Sequence, residues 1–507
     1  MSISFFSIFN RVILASLFVL LTSTSWAATT IDVTTTNDEL NADSNISLRE
    51  AFDQANNGSD TEYTINLTGG QTYALTLGHL EINRPGVSLT INGSGNGVGL
   101  AIVDASANPA ADAGLFLFNN QTILNPPPID TTLNNLEIRG SGTNDHNTLF
   151  SAVGAVVRVG IGDHLTINRC YIHDNFGEYG AINPVSVDFV TINDSTISNN
   201  TAHNLGGAYN GQNAHLDINN STITGNSANI GGGIRPSPIT RIRNTTISGN
   251  TATNGGGIYL FPNTQLDMQN SILSGNTATT AGANCFNAYP AYPGTLLSGH
   301  DVLGTLPADC AFTGSGDQTG VDNPMLGPLA DNGGLTPTRA LLAGSAAVDN
   351  GDPSGCTDVD GNPLANDQRG PGFPRTQDGD NNGTATCDSG AYELTNTFSE
   401  IEDVIDGIKD SIASLPSSSF SNPNHKNTLQ NKLNGIFNQL SQIEDATDPD
   451  VRASLINDLE NKLINDMLTK GDGCGTVADK NDWITNCAAQ IEYRDQIQDI
   501  LDLLNTL

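Results

Sequence analysis

A phrase of about 25 residues recurs through the middle of the chain and constrains the fold more than any other feature. Its successive copies include the segments VTINDSTISNN, LDINNSTITGN, RIRNTTISGN and LDMQNSILSGN. A repeat of this length indicates stacked structural units, each of which buries its apolar face against the next. Alignment places asparagines in one column, at spacings of 25, 26, 24 and 26 residues: Asn175, Asn200, Asn226, Asn250 and Asn276.

The composition of the repeat favours strands over helices. Asn, Thr, Ser and Gly fill each copy, and these residues are poor helix formers. β-branched residues that alternate with small polar ones suit short strands. The pattern predicts an all-β, right-handed parallel β-helix whose coils stack about 4.8 Å apart. The asparagine column is then expected to form a ladder of amide hydrogen bonds.

Such a stack needs a cover at each end, because open sheet edges invite aggregation. The segment NISLREAFDQANN offers a cover for the N-terminal end. Ser47 and Glu50 match a capping box, and we predict a capping helix near residues 47–56. An apolar stripe follows at helical spacing: Leu48, Ala51, Phe52 and Ala55.

Residues 1–27 have the pattern of a secretory signal peptide. They contain Arg11, an apolar run from Val12 to Leu21 and the small residue Ala27 at the expected cleavage point. The apolar run is too short to span a bilayer, which needs about 20 residues. We therefore predict an exported protein, secreted or at the cell surface, with no membrane span after signal cleavage.

Export permits disulfides, and the chain has seven cysteines. Pairing sequence neighbours predicts three bonds: Cys285–Cys310, Cys356–Cys387 and Cys474–Cys487. Cys170 is left over at a position where neighbouring coils have Ser or Thr. We expect it to be a small inward-facing side chain rather than a reactive thiol.

A step in composition marks a domain boundary near residue 397. All six lysines lie after residue 400, where apolar residues also take up helical spacing. We predict a β-helix at 28–320, a C-terminal β-helix cap at 321–397 and a small helical bundle at 398–507. The bundle is a candidate surface for a protein partner.

The charge of the chain excludes some partners. The net charge of −34 argues against nucleic acid and anionic membranes, since both require a basic face. Acidity alone names no partner, because it also serves solubility.

Two parts of the chain resemble families of bacterial exported proteins. The segment SLREAFDQANNGSDTEYTINLTGGQTYALTL is similar to the start of CSLREA-type β-helix proteins, with Ile46 in place of their cysteine. The segments NPMLGPLADNGGLTPTRALLAGSAAVDNG, DQRG and DSGAYEL resemble the choice-of-anchor Q domain. The resemblance implies a secreted or cell-surface solenoid of the pectin-lyase-like fold, and it implies no single activity.

Catalytic chemistry has one weak candidate group. Polysaccharide lyases and hydrolases need carboxylates together with a His or a basic residue. His173 and Asp174 lie on a turn after a predicted strand, and Arg241 lies in an Arg-Ile-Arg segment further along. Scattered solvated turn residues are the alternative interpretation of these three side chains.

A second motif suggests calcium. Asp378, Asp380 and Asn382 match the start of an acidic calcium loop, but the twelfth position is Ser389 rather than Glu. An ordinary Asp/Asn/Gly turn is the alternative. If calcium binds, we expect it to stiffen the end of the solenoid rather than to catalyse.

The sequence as a whole favours a non-catalytic function. We predict an exported β-helix that presents a rigid face for glycan binding or adhesion to a polysaccharide or cell-surface glycan. A lyase or hydrolase acting on acidic polysaccharide is one alternative. An architectural spacer that carries the helical bundle is another.

Overall fold

The computed structural model describes most of the chain after residue 27. The predicted signal peptide lies outside the described residues, which are 28–94, 99–107, 116–118, 127–141, 157–159, 163–184, 189–211, 213–292, 294–342, 344–379, 382–395, 397–444, 449–468, 483–485 and 487–504. Within these ranges the chain forms a parallel β-helix followed by a helical region, which confirms the predicted fold class.

Three long parallel sheets form the walls of the solenoid. Sheet A contains the strands Thr29–Asp32, Glu62–Thr68, Ser88–Ser94, Asp130–Asn134, His164–Asn168, Phe189–Asn193, His215–Asn219, Ile239–Arg243, Gln265–Gln269 and Thr295–Leu297. Sheet B contains Thr72–Ala74, Ala101–Asp104, Leu136–Arg139, Tyr171–His173, Thr196–Ser198, Thr222–Thr224, Thr246–Ser248, Ile272–Leu273, Val302–Leu303 and Gln318–Thr319. Sheet C contains Leu80–Ile82, Phe116–Phe118, Val157–Val159, Ile182–Pro184, Tyr209–Asn210, Ile234–Arg235, Ile258–Leu260 and Cys285–Asn287.

A shorter fourth sheet lies between sheets B and C along the chain. Its strands are Phe176–Tyr179, Thr201–Leu205, Ser227–Ile230, Thr251–Asn254 and Thr277–Ala281. The Gly clusters that follow these strands bring neighbouring coils into close backbone contact. A Cβ atom on Gly233 would lie 2.7 Å from the carbonyl oxygen of Gly257, so this position accepts no side chain without a shift of the backbone.

Identical residues stack in register along the interior. Ile167 pairs with Ile192, and Ile192 pairs with Ile218, so successive coils place the same aliphatic side chain over the last. All three are fully buried. Burying one such side chain stabilises a fold by about 1.5–3 kcal/mol, so the repeated aliphatic column accounts for much of the solenoid's stability.

The asparagine column forms a buried amide ladder. The side-chain nitrogen of Asn175 donates to Asn200 Oδ1 at 2.9 Å, and the same contact repeats at 3.0 Å along the column. Each Oδ1 also accepts the backbone N–H of the preceding asparagine. The ladder thereby satisfies turn amides that water cannot reach.

A helix covers the first coil. Leu48–Asn57 is preceded by Ser47, whose side chain accepts from the backbone of Glu50, while Glu50 accepts from the backbone of Ser47. Both halves of the capping box are thus present. Phe52 stacks on Phe116 of sheet C at 5.9 Å between ring centroids, which anchors the apolar face of the helix to the core.

The disulfide between Cys285 and Cys310 holds a short loop over the last coils, and Phe312 is buried beside it. The second predicted bond, Cys356–Cys387, is also present, and Cys170 is free and buried. Cys474 lies outside the described residues, so its bond to Cys487 stays a prediction.

The segment predicted to cap the C-terminal end packs against Ile272 and Val302 of the last coils and also extends along the solenoid. Residues 324–394, called the strap below, begin with the antiparallel strands Leu326–Ala330 and Thr338–Leu341. The described contacts place the strap along the outer flank of sheet B. Gln368 contacts Thr196 at 2.7 Å and Thr222 at 2.6 Å, although 172 and 146 residues separate it from them.

Buried ion pairs hold the strap's own fold together. Arg369 contacts Asp367 through two nitrogens, and Arg375 contacts Glu393 at 3.5 Å. Burial is the main cause that raises the pKa of Glu393. Arg375 also donates to Asn220 Oδ1 at 2.6 Å, so the same network ties the strap to the solenoid.

The tail is helical, as predicted. Its helices are Thr397–Ser414, Pro423–Glu444, Pro449–Lys462 and Cys487–Leu504, with a π-helical turn at Leu463–Met467. Their apolar faces share one core of buried residues. Among the described helices, none is both long and apolar enough to cross a membrane.

Candidate functional site

The strap divides the outer face of sheet B into two parts. Beneath it, the outward positions are short hydroxyl side chains that are buried: Thr196, Thr222 and Thr246. In the preceding coils, which the strap's described contacts do not reach, the same row holds Glu137 and Tyr171. The uncovered part of the sheet therefore carries the charged and aromatic groups.

These uncovered groups form a charged cluster around His173. Its Nδ1 lies 2.7 Å from Asp174 Oδ2, and its Nε2 lies 3.3 Å from Glu137 Oε1. Arg139 contacts Glu137 at 2.7 Å and Asp104 at 3.0 Å. The Tyr171 ring stacks on the imidazole, with centroids 3.9 Å apart. His173 is buried, so its neighbours rather than water determine its charge.

The cluster favours a protonated histidine. Burial opposes the charged imidazole, but hydrogen bonds to Glu137 and Asp174 outweigh burial and raise the pKa of His173. The hydrogen bond from His173 is the main cause that lowers the pKa of Glu137. Both ring nitrogens of His173 contact carboxylates, so neither is directed at a substrate as a general base would be. The arrangement is that of an ion-pair network.

Arg241 lies elsewhere on the solenoid. It belongs to sheet A, in the coil whose sheet B strand is Thr246–Ser248, three coils beyond His173. At about 4.8 Å per coil, the separation along the axis alone is about 14 Å. Arg241 contacts both oxygens of Asp217, at 2.8 and 2.6 Å, and donates to the strap carbonyl of Val359 at 3.0 Å. The structure therefore does not bring Arg241 together with His173 and Asp174.

A second asparagine row, absent from the sequence analysis, runs along the edge of sheet A. Asn219 donates to Asn193 at 3.0 Å, and Asn193 donates to Asn168 at 2.9 Å. The row continues through earlier coils in the same direction: Asn134, Asn92, Asn66 and Asp32. The signal in the sequence is an Asn that follows the apolar residues of several sheet A strands, as in LTIN, VTIN and LDIN.

This outer row forms one wall of a groove. The groove has a volume of about 370 Å³ and runs between the corner of the solenoid and the strap. Its lining is almost entirely polar: Asn168, Arg169, Asn193, Asp194, Asn219, Asn220, Asp358 and Leu364. The last two residues belong to the strap, so the docked strap supplies the second wall.

The groove's charges balance nearly to neutrality. Arg169 is exposed and donates through Nε to Asn135 at 2.9 Å. Burial is the main cause that raises the pKa of Asp194, whose Oδ1 accepts from Asn220 at 2.7 Å. Burial would also raise the pKa of Asp358, but hydrogen bonds led by the Asn362 side chain outweigh it and lower that pKa. One cation thus faces two acids, so the groove has no excess of positive charge.

The predicted calcium residues lie in a strap turn. Asp378 accepts from the backbone of Asn382 at 2.9 Å and of Gly383 at 2.8 Å, and Asn382 Oδ1 accepts from Thr384 at 2.9 Å. Asp380 lies outside the described residues, so calcium stays a prediction. Within the described part of the chain, no three His, Cys, Asp or Glu side chains are grouped to hold a metal ion.

Cys170 faces the interior of the solenoid. Its backbone N–H donates to Ser195 Oγ at 3.0 Å, and its thiol lies 3.3 Å from the carbonyl oxygen of Asn168. Burial raises the pKa of the Cys170 thiol to about 12. A thiol with this pKa is almost entirely protonated at neutral pH and is a poor nucleophile.

Comparisons with protein-family models, curated proteins and solved structures find no match to this chain. The chemistry open to the groove therefore follows from its own donors and acceptors. Carboxamides, a guanidinium and carboxylates all form hydrogen bonds with hydroxyl groups. A ligand rich in hydroxyls fits this lining better than an apolar one.

Proposed function

We propose that this protein is an exported, non-catalytic glycan-binding protein, and that the groove beside the strap holds an uncharged segment of the glycan. The observation that carries the proposal is the outer asparagine row, which lies along a groove large enough for a small sugar unit. The repeat therefore supplies a binding surface as well as a scaffold.

The hydrogen-bond inventory of the row supports a hydroxyl-rich ligand. Asn193 has two amide hydrogens and two oxygen lone pairs. One hydrogen goes to Asn168, and one lone pair accepts from Asn219. One donor and one acceptor therefore remain on Asn193, and likewise on Asn168 of the preceding coil, about 4.8 Å away. Sugar hydroxyls, which both donate and accept, complement this arrangement.

The charge of the groove favours an uncharged ligand. Arg169 is balanced by Asp194 and Asp358, so an acidic sugar gains little net attraction there. This is one reason to prefer glycan binding over an enzyme that acts on acidic polysaccharide. The other is that the catalytic candidates His173 and Arg241 lie in separate ion pairs.

Export rests on three supports. The N-terminal sequence has signal-peptide features, and the chain resembles surface β-helix families in its N-terminal segment and in the strap. Two disulfides are present, and such bonds persist in oxidising compartments. All three observations fit a protein that is secreted or attached to the cell surface, and they also fit a glycan as its ligand.

The test compares the purified protein with two matched variants on immobilised neutral oligosaccharides. Asn193→Ala removes a row amide inside the groove, whereas Asn66→Ala removes one of the same row outside it. We expect Asn193→Ala to weaken retention about three- to tenfold, the value of one hydrogen bond. Asn66→Ala should bind like the original protein.

Three other outcomes would overturn the proposal. Equal loss of retention in both variants would place the ligand along the row rather than in the groove. Release of reducing ends or unsaturated products would make the protein an enzyme. No retention on any glycan would favour the spacer role or a protein partner for the helical tail.

A further inference from the structure

A row of aromatic side chains covers the outer face of sheet C near its C-terminal end. We call Tyr259, Phe261, Phe286 and Tyr289 the aromatic shelf. The ring centroids of Tyr259 lie 5.3 Å from Phe286 and 5.5 Å from Phe261, and Phe261 lies 5.8 Å from Tyr289. These contacts join four rings from two neighbouring coils into one continuous surface.

The shelf is open to solvent at one end. Tyr289 is 41% exposed, and Tyr292 next to it is 62% exposed. Exposed aromatic rings in contact with one another form an apolar patch, and such patches mark interaction sites. The ligand must therefore offer a flat, partly apolar surface to the rings.

Arg235 lies at the inner edge of the shelf. Its guanidinium stacks over the Phe261 ring at 3.9 Å from the centroid. One terminal nitrogen donates to Asn210 Oδ1 at 3.1 Å and to the carbonyl oxygen of Gly211. Its Nε is buried and, among the described residues, has no hydrogen-bond partner. The guanidinium of Arg235 is therefore partly removed from water, and its hydrogen bonds within the protein do not replace all of those that it loses.

No described carboxylate pairs with Arg235. Arg139, Arg241 and Arg369, by contrast, each contact a carboxylate at 2.6–3.0 Å. The titratable groups that face Arg235 are all phenols: Tyr209, Tyr259, Tyr179 and Tyr289. A partly buried cation without an anion is costly, and the ring of Phe261 offsets only part of that cost.

We propose that the aromatic shelf is a second binding site, specific for a sugar ring that carries a carboxylate. The ring's apolar face packs on Phe286 and Tyr289, and its carboxylate accepts hydrogen bonds from Arg235. The phenol groups of Tyr259 and Tyr289 supply further donors. This site lies on sheet C and is independent of the groove, so either proposal can fail alone.

The net charge of −34 does not exclude an acidic ligand at this site. A glycan carboxylate interacts with Arg235 at contact distance, where salt screens the rest of the protein beyond about 8 Å. The local charge of the shelf therefore decides binding.

The probes are a glucuronate-containing hyaluronan hexasaccharide and its carboxyl-reduced form, which has the same rings without the charge. Calorimetric titration measures affinity for the purified protein. We expect the acidic form to bind about 10–100-fold more tightly, the value of a charge-assisted hydrogen bond. Equal affinity for the two probes, or no binding of either, would refute the proposal.

Two variants separate the contributions of charge and ring. Arg235→Met keeps an apolar side chain over Phe261 and should abolish the preference for the acidic probe. Tyr289→Ser, at an exposed position, should weaken the binding of both probes. Arg84→Met is the matched control, because Arg84 also lies over an aromatic ring, that of Tyr63, but outside both proposed sites, and it should leave the preference intact. A preference that survives Arg235→Met, or that disappears in Arg84→Met, would overturn the assignment.

Discussion

Replacing Asn226 with alanine tests whether the buried amide ladder stabilises the solenoid. Asn226 is fully buried in the middle of the column. Its Oδ1 accepts from the backbone and the side chain of Asn200, both at 3.0 Å. Its Nδ2 donates to the carbonyl oxygen of Ile197 at 2.9 Å and to Asn250 Oδ1 at 3.0 Å. These four contacts, and a fifth from Nδ2 to the carbonyl oxygen of Thr224 at 3.2 Å, disappear together in Asn226→Ala.

The size of the effect follows from the groups left behind. The backbone N–H of Asn200 has Oδ1 of Asn226 as its described partner, so it becomes a buried, unsatisfied donor. Such a donor costs about 1–3 kcal/mol, and the other lost hydrogen bonds add about 1 kcal/mol. We expect the free energy of unfolding to fall by about 2–4 kcal/mol. Asn66→Ala, at a half-buried position of the outer row, should change it by less than about 0.5 kcal/mol.

Urea unfolding followed by circular dichroism gives the free-energy change. Hydrogen exchange measured by mass spectrometry locates it, because peptides spanning residues 197–201 should lose protection before those of distant coils. Local loss is expected since each coil of a solenoid contacts only its neighbours. A change below about 1 kcal/mol, with unaltered exchange near Asn200, would refute this account of the ladder.

Three further predictions concern side chains of the sheet faces and the strap. His173→Gln should lower the free energy of unfolding most at low pH. Because the folded-state pKa of His173 is raised, its stabilising contribution is complete below about pH 6.5 and is lost as the pH rises through the folded-state pKa. Urea unfolding of both proteins at pH 5 and at pH 9 would detect this difference. Cys170 should not react with a thiol reagent at pH 8 until the protein unfolds. Cys170→Ser introduces the residue that later coils have at this position, so urea unfolding should show a loss of less than about 1 kcal/mol in the free energy of unfolding. Arg241→Met should release the strap turn near Val359, which would appear as faster hydrogen exchange at residues 358–362. The same variant should weaken glycan binding in the groove. Unchanged exchange would contradict the assigned role of Arg241.

The regular repeat explains why the buried ladder could be predicted and the outer row was missed. The buried column recurs every 24–26 residues, so simple alignment finds it. The outer row includes separations of 42 and 34 residues, from Asn92 to Asn134 and from there to Asn168. Longer loops between those strands hide the row from any fixed-period alignment, although the strands themselves remain in register.

The position of the strap could not be derived from its own sequence. Its hydrogen bonds with sheet B join residues up to 172 apart in the chain, as at Pro337 and Gln368 with Thr196. The one local signal is in the solenoid. Thr196, Thr222 and Thr246 are short hydroxyl side chains at outward positions where an open face would tolerate charge, and all three are buried. Uniform small polar residues on an outer face thus indicate that another segment covers it.

The fold also explains why the sequence suggested a catalytic group that the structure does not bring together. His173 and Arg241 belong to similar strand-turn phrases, and a linear sequence does not reveal that one lies on sheet B and the other on sheet A. In a solenoid, side chains converge only if they share a sheet or a corner. His173 meets Glu137, which is 36 residues away and occupies the preceding coil of the same sheet.

The strap gives the groove a property that a bare solenoid lacks. The solenoid wall is rigid because every coil is fixed by its neighbours, but Asp358 and Leu364 reach the groove only when the strap is docked. Docking depends on Arg241 and on the hydroxyl row of sheet B. Ligand contacts with the strap wall can therefore stabilise the docked state, by RT ln(1 + [L]/Kd) if undocked strap does not bind. If the proposed glycan binds in the groove, its binding and the attachment of the strap form one coupled equilibrium.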